Sequence, residues 1–179
     1  MSTIFDIQPW LQSTRVALEP LLEKDFNALY AIASDPLIWA QHPNPDRWQE
    51  SVFRNFFEGA IKSKGAFKIL DQVTGEIIGS TRIYDFDSKT NSILIGYTFF
   101  SRNYWGKGYN IEVKKLMLDY LFQFVSFVDF HIGAGNLRSQ HSIVRLGARK
   151  VGELELAYYG EATRLNFVYR ISKEEYKPN

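Results

Sequence analysis

Residues Ile93-Leu94-Ile95-Gly96-Tyr97-Thr98-Phe99-Phe100 constrain this chain more than any other stretch. Alternate positions of a strand face opposite sides of a sheet, and here both sides are apolar. Such a strand must be central and covered on both faces, which predicts a layered structure rather than an open sheet. Gly96 within the run predicts a bulge or a close backbone approach. A glycine-bearing loop, Asn103 to Gly108, follows the run. Beyond it, Val113, Leu116, Met117, Tyr120, Leu121 and Phe124 recur at helical spacing.

The remaining elements follow from the same periodicities. Thr14 to Leu18 alternates weakly as a first strand, and Phe26, Leu29, Tyr30 and Ala33 mark a helix that Asp35-Pro36 stops. Gln41 to Asp46 is a turn-rich loop, with Asp46 placed to cap the next helix. In that helix Trp48, Val52, Phe53, Phe56, Phe57 and Ala60 form one stripe, ending near Lys64-Gly65. Strands Ala66–Leu70 and Glu76–Tyr84 flank a hairpin turn at Asp71 to Gly75. Phe127 to Gly133 is a buried strand, Leu137 to Leu146 a short helix ended by Gly147, and Ala148–Leu156 with Arg164–Ile171 a closing antiparallel pair. Leu165, Phe167, Tyr169 and Ile171 of that pair share one face. The order predicts an α/β (α+β) fold: a mixed, mostly antiparallel central sheet with helices on both faces. No linker or repeat divides the sequence, so residues 1–179 are expected to form one domain.

Composition narrows the functional classes. The net charge is +1, too small for a general attraction to nucleic acid or an anionic membrane, and neither partner is expected. With no cysteine there is no disulfide framework, cysteine nucleophile or thiolate metal site, which agrees with a cytoplasmic location. Met1 to Trp10 lacks a basic region followed by an apolar run, so no signal peptide is expected. No apolar stretch approaches the ~20 residues of a membrane span. The histidines, His42, His131 and His141, lack zinc-ligand spacing, and no metal is expected.

The sequence holds no Walker A loop, no G-x-G-x-x-G, no H-E-x-x-H and no G-x-S-x-G. What it does hold is Tyr104-Trp105-Gly106-Lys107-Gly108-Tyr109-Asn110 between a buried strand and a helix. Glycines let the backbone turn tightly, and exposed N–H groups with the helix dipole favour an anion there. Lys107 adds a positive charge. On spacing alone, a plain strand–helix turn with two glycines and a solvated lysine is the favoured reading, since short glycine-rich turns are common.

Ile95-Gly96-Tyr97, followed by Tyr104-Trp105-Gly106-Lys107-Gly108-Tyr109 and Glu112, resembles the GNAT superfamily of N-acetyltransferases. It is most similar to the branch that includes the ribosomal-protein N-terminal acetyltransferases. Downstream, Asn136-Leu137-Arg138-Ser139 and then Leu146-Gly147-Ala148 resembles that branch's second motif. The likeness spans roughly Arg15 to Ile171. Asn103 stands where the family's loop opens with Gln or Arg, Ala148 replaces a Phe, and Leu94 replaces an acidic residue that many relatives carry.

The resemblance implies acetyl-CoA as donor and a primary amine as acceptor, either a protein N-terminus or a small amine. Transfer would be direct, in a ternary complex formed by a monomer or homodimer. It implies a strand that splays at Gly96 and ends at Phe99-Phe100, whose backbone pairs with the pantetheine arm. Backbone amides of Trp105, Gly106, Lys107, Gly108, Tyr109 and Asn110 would hold the pyrophosphate, and Asn136 would hydrogen-bond the pantetheine. Ser139 is the candidate for protonating the leaving thiolate, or else a helix-start residue. His42 has the intrinsic pKa of a general base, or is a surface histidine in a Pro-rich turn. Asp85, Asp87 and a water chain are the other bases to consider. His131 reads as a satisfied core histidine, and Trp39 or Trp48 could line an acceptor pocket. A non-catalytic acyl-CoA-binding module on the same fold and a nucleotide-binding protein using Gly106-Lys107-Gly108 are the competing functions.

Overall fold

The computed structural model describes residues 5–178. Residues 1–4 of the N-terminal stretch, and the two expected domain boundaries, lie outside the described residues. The elements are β1 (Leu11–Gln12), β2 (Val16–Pro20), α1 (Phe26–Ala33), α2 (Pro36–Trp39), α3 (Glu50–Ser63), β3 (Ala66–Asp71) and β4 (Ile77–Asp87). They continue as β5 (Ser92–Phe100), α4 (Tyr109–Leu121), β6 (Phe127–Gly133), α5 (Leu137–Val144), β7 (Arg149–Leu156) and β8 (Arg164–Ser172). The strands form one 8-stranded sheet in the order β1-β2-β3-β4-β5-β6-β8-β7. Among the described residues, only β5 and β6 run parallel. Mixed topology, central β5 and helices on both faces agree with the sequence expectation.

Two apolar layers hold the helices to the sheet. One gathers Ile69, Ile83, Ile93 and Ile95 with Val113, Met117 and Leu118 of α4 and Ile143 of α5. The other packs Leu29, Trp39, Phe53, Phe56 and Ala60 of α1 to α3 against Ala66 and Phe99. Neighbouring residues enter opposite layers, as Phe99 and Phe100 do, because strand side chains alternate. Each fully buried Leu or Phe contributes about 1.5–3 kcal/mol, so these layers outweigh any surface contact in setting the fold.

Several local expectations need correction. The strand expected at Thr14 to Leu18 is β2 at Val16–Pro20, and an unforeseen short strand, β1, precedes it. Asp35 does more than end a helix: its carboxylate accepts the Leu37 N–H and starts α2. Asp46 does not cap α3. It lies in a 3-10 turn, Pro45–Trp48, and Gln49 is the N-cap residue without a side-chain cap bond. Trp48, at the end of that turn, is 40% exposed and leaves the α3 stripe. α4 ends at Leu121, so Phe124 packs from beyond the helix. In β8, Leu165 is exposed while Asn166 is buried.

Candidate functional site

β5 and β6 pair only over Ser92–Leu94 and Phe127–Asp129. Beyond these residues they splay, leaving the β6-facing backbone groups of Ile95 to Phe100 without a strand partner. A cavity of about 820 Å³ fills the opening. Its walls include Gly96 to Phe100 of β5, Phe130 to Gly133 of β6, the loop before α4, and the start of α5.

The cause of the splay is local. The β4–β5 register shifts between Ser80 and Arg82, opposite Phe99 and Gly96. Tyr97 takes φ 55, a left-handed conformation that a bulky residue rarely adopts. The bulge expected at Gly96 therefore falls on its neighbour. Gly96 leaves room for it, since an added Cβ would stand 3.0 Å from the Tyr84 hydroxyl. Strain of this kind persists where the surroundings impose it, and it gathers at functional sites.

One end of the cavity is a nest of amides. Gly106 (φ 71) and Gly108 (φ 84) bring the chain into the N-terminus of α4. Among the described residues, the amides of Gly106 through Ile111 have no hydrogen-bond acceptor in the protein. Unpaired N–H groups at a helix start carry partial positive charge and attract phosphate. Trp105, Gly106, Gly108, Tyr109 and Asn110 line the wall. Lys107 does not: its side chain is off the wall, and its carbonyl accepts from Arg15 Nη2 at 3.0 Å. The Tyr109 side chain turns away to the Asp71 carboxylate (3.3 Å), so only its backbone serves the nest. Asn110 ties α4 to α5 through Ser142 Oγ at 2.9 Å. Arg138 and Arg145, given no role from sequence, add cations to the wall, and Arg138 stacks on Trp105 at 4.0 Å.

The start of α5 supplies the opposite side of the groove. Asn136 is its N-cap, and its Oδ1 accepts the Ser139 N–H at 3.2 Å, while its Nδ2 has no acceptor among the described residues. Ser139 lines the cavity, and its hydroxyl has no partner among the described residues. Phe99 and Phe100 bury their side chains in the two layers and offer the cavity their backbone.

The far end is built by the loop after α2 and by the β7–β8 loop. Arg47, 2% exposed, donates from Nε to Glu161 Oε1 (2.5 Å) and from Nη2 to Oε2 (2.7 Å). Asn44 also donates to Glu161. His42 lines this end, but both ring nitrogens face donors: Nδ1 accepts the Asn44 N–H at 3.0 Å, and Nε2 stands 3.1 Å from Arg47 Nη1. A neutral imidazole has one lone pair and a charged one has none. Burial, helped by the Arg47 and Arg138 charges, holds its pKa well below 6.5.

His131 is not the satisfied core histidine expected. It lines the cavity, its Nδ1 is buried without a partner, and burial lowers its pKa. Trp39 lines the wall and Trp48 does not. Neither Asp85 nor Asp87 reaches it. Arg82, 5% exposed and stacked 3.8 Å from the Tyr97 ring centre, is pushed down to about 10 by burial and also stays off the wall.

These histidines set a pH dependence. Below pH 6.5 the unfolded chain binds protons that folded His42 and His131 refuse. Stability present above that value should fall as the pH drops toward their folded pKa values. His42→Gln should flatten the loss in denaturant titrations between about pH 7.5 and about pH 5; an unchanged slope would show that His42 does not contribute.

The described residues hold no group of three or more His, Cys, Asp or Glu able to bind a metal, and no helix long and apolar enough to cross a membrane. The family model of the acetyltransferase (GNAT) domain matches residues 15–149. A solved protein assigned as an acetyltransferase is similar at 26% identity and a TM-score of 0.80, covering 96% of this chain and 90% of that one. The acetyltransferase (GNAT family) from Bacillus anthracis is similar at 20% identity and a TM-score of 0.75, covering 93% and 100%. Mycobacterium smegmatis RimJ, in complex with CoA-disulfide, is similar at 19% identity and a TM-score of 0.70, covering 93% and 87%.

Proposed function

The chain belongs to the GNAT acetyltransferase family, and from that premise we propose that it moves an acetyl group from acetyl-CoA to a primary amine by direct transfer. One observation carries the reading: a strand edge left open by the β5–β6 splay runs on toward a nest of unpaired amides. An extended amide-bearing arm fits the first and a pyrophosphate fits the second. The cosubstrate supplies an activated thioester. The protein supplies the rest.

The amides of Gly106 to Asn110 would hold the phosphates, with Arg138 and Arg145 beside them. The open edge from Ile95 to Phe100 would align the arm, and Asn136 Nδ2 would add a bond to it. Strand N–H groups at the Tyr97 bulge would donate to the thioester oxygen as it gains charge. Ser139, whose hydroxyl is free, would protonate the departing thiolate. His42 contributes as wall rather than as base, because its lone pair already faces protein donors. The acceptor amine would then shed its proton to water.

The acceptor would be a protein N-terminus or a small amine. The near-zero net charge and the cysteine-free composition agree with a cytoplasmic enzyme that binds neither nucleic acid nor membrane. Residues 1–179 would act as one domain, as monomer or homodimer.

Calorimetric titration with acetyl-CoA, with ATP as control, tests the donor, and thiol release over a panel of amines and N-terminal peptides tests transfer. Binding of acetyl-CoA alone is expected; ATP binding alone would sink the reading. Binding without turnover on any amine would leave an acyl-CoA-binding module on this fold. Ser139→Ala should lower kcat about 10²-fold with little change in KM, as for loss of a general acid. A wild-type rate would remove Ser139 from the chemistry.

A further inference from the structure

Lys114 is a buried amine that the mechanism above leaves idle. It sits on α4, is 5% exposed, and belongs to the cavity wall. Its Nζ donates to the Thr98 hydroxyl and, at 3.3 Å, to the Thr81 hydroxyl. Those hydroxyls are 2.8 Å apart, so the three groups form one small network. No carboxylate of the described residues forms an ion pair with Lys114. Buried lysines are normally paired, because a lone ammonium is costly to desolvate. With no counter-charge, burial alone pushes this pKa down to about 7.

The position matters as much as the charge. Thr98 follows the bulge residue Tyr97 and lies on the open half of β5, where the donor arm is read to pair. The hydroxyl network lies on the α4 side of the sheet, beside Met117 Sδ at 3.8 Å from Thr81 Oγ1. The far end of the cavity, with Trp39 and Arg47, belongs to the α1–α3 side. An incoming amine and Lys114 would thus reach the apex of the groove from opposite faces, and neither would block the other. A desolvated lysine held by neutral partners is an activated nucleophile.

We propose that Lys114 is a self-acetylation site, an inference that rests on the reading of the groove as the acetyl-CoA site. The neutral Nζ would attack the thioester carbonyl carbon and form a C–N bond while the C–S bond breaks. The electron pair of that bond leaves with sulfur, and one Nζ proton passes to the thiolate. Amine plus thioester becomes amide plus thiol, with no oxidant and no further reactant. The acetamide keeps one N–H, enough to hold Thr98.

The test is incubation of the intact protein with acetyl-CoA and no acceptor, read by mass spectrometry of the chain and of its peptides. One acetyl group per chain, on the peptide bearing Lys114, is expected. Excess CoA should suppress the modification, because it occupies the same groove. Its rate should rise with pH to about 7 and then level off, whereas exposed lysines keep accelerating toward their ordinary pKa of ~10.4. Lys114→Arg should abolish it. The wild-type peptide map decides the question even if that variant folds poorly. Calorimetry on the same sample separates the two readings. Acetyl-CoA binding with no acetyl on Lys114, or with acetyl scattered over exposed lysines and indifferent to CoA, overturns self-acetylation and leaves the donor site standing. No binding at all overturns both.

Discussion

Replacing Arg47 with methionine should cost about 3–5 kcal/mol of folding free energy, the penalty for stranding one member of a buried ion pair. Arg47 is 2% exposed, and its guanidinium is bidentate on Glu161 at 2.5 and 2.7 Å. The same guanidinium lies 4.6 Å from the Phe56 ring centre and 3.1 Å from His42 Nε2. One side chain therefore fastens the 3-10 turn at Pro45–Trp48 to the loop between β7 and β8, and both to α3. Methionine keeps much of the apolar contact but leaves Glu161 charged, buried and held only by Asn44. The loss should therefore be electrostatic in origin. Adding Glu161→Leu should recover more than half of it, since a pair replaced by apolar groups costs far less than a pair broken. Chemical denaturation of the single and double variants measures this. A single-variant loss below about 1 kcal/mol would mean the pair is solvated and does not hold the loops together.

Gly106→Val should weaken acetyl-CoA binding about hundredfold while leaving the fold intact, a change of about 2.8 kcal/mol. Gly106 has φ 71, and a Cβ built there meets no protein atom within 4 Å. The protein thus has room for the side chain, but the backbone does not favour it: a β-branched residue in the left-handed region costs about 1–2 kcal/mol. Relaxing that strain turns the adjacent amides out of the nest, and the isopropyl group enters the space a phosphate would take. Lys107→Ala is the internal contrast. Its side chain stands off the wall, so its effect should stay within about threefold, as expected for a solvated charge. Calorimetry on both variants, with melting curves to check folding, distinguishes the outcomes. Unchanged affinity in Gly106→Val would remove the loop as the phosphate site, and a large loss in Lys107→Ala would mean that side-chain charge outweighs the backbone nest.

Much of this architecture is legible in local patterns. The doubly apolar run at Ile93 to Phe100 announces a central strand, and the structure places β5 in the interior of the sheet. The stripe from Val52 to Ala60 announces α3, and the glycines at positions 106 and 108 announce a turn that needs positive φ. Ser139, Asn136 and the loop residues Trp105 to Asn110, Lys107 excepted, do converge on one cavity. Lys114 is not legible from residue type alone. A lysine reads as solvated, yet it stands three, four and seven residues before Met117, Leu118 and Leu121, all buried. A charge on the apolar stripe was the signal available.

The sequence by itself determined most of the segments that become helix or strand, though not β1, α2 or the 3-10 turn at Pro45–Trp48, because periodicity and turn chemistry act over a few residues. It also determined the family and the position of the glycine-bearing loop before α4, since both rest on short contiguous motifs. Only the tertiary structure decided which of those residues are free to act. His42 faces Arg47 from a neighbouring turn, and Arg47 is held in turn by Glu161, 114 residues away. Lys114 of α4 meets Thr81 and Thr98 from two strands, and Lys107 stands off the wall while its carbonyl accepts from Arg15. Availability of a lone pair or a proton depends on burial and on partners distant in the chain. Those are properties of packing, and no local pattern encodes them.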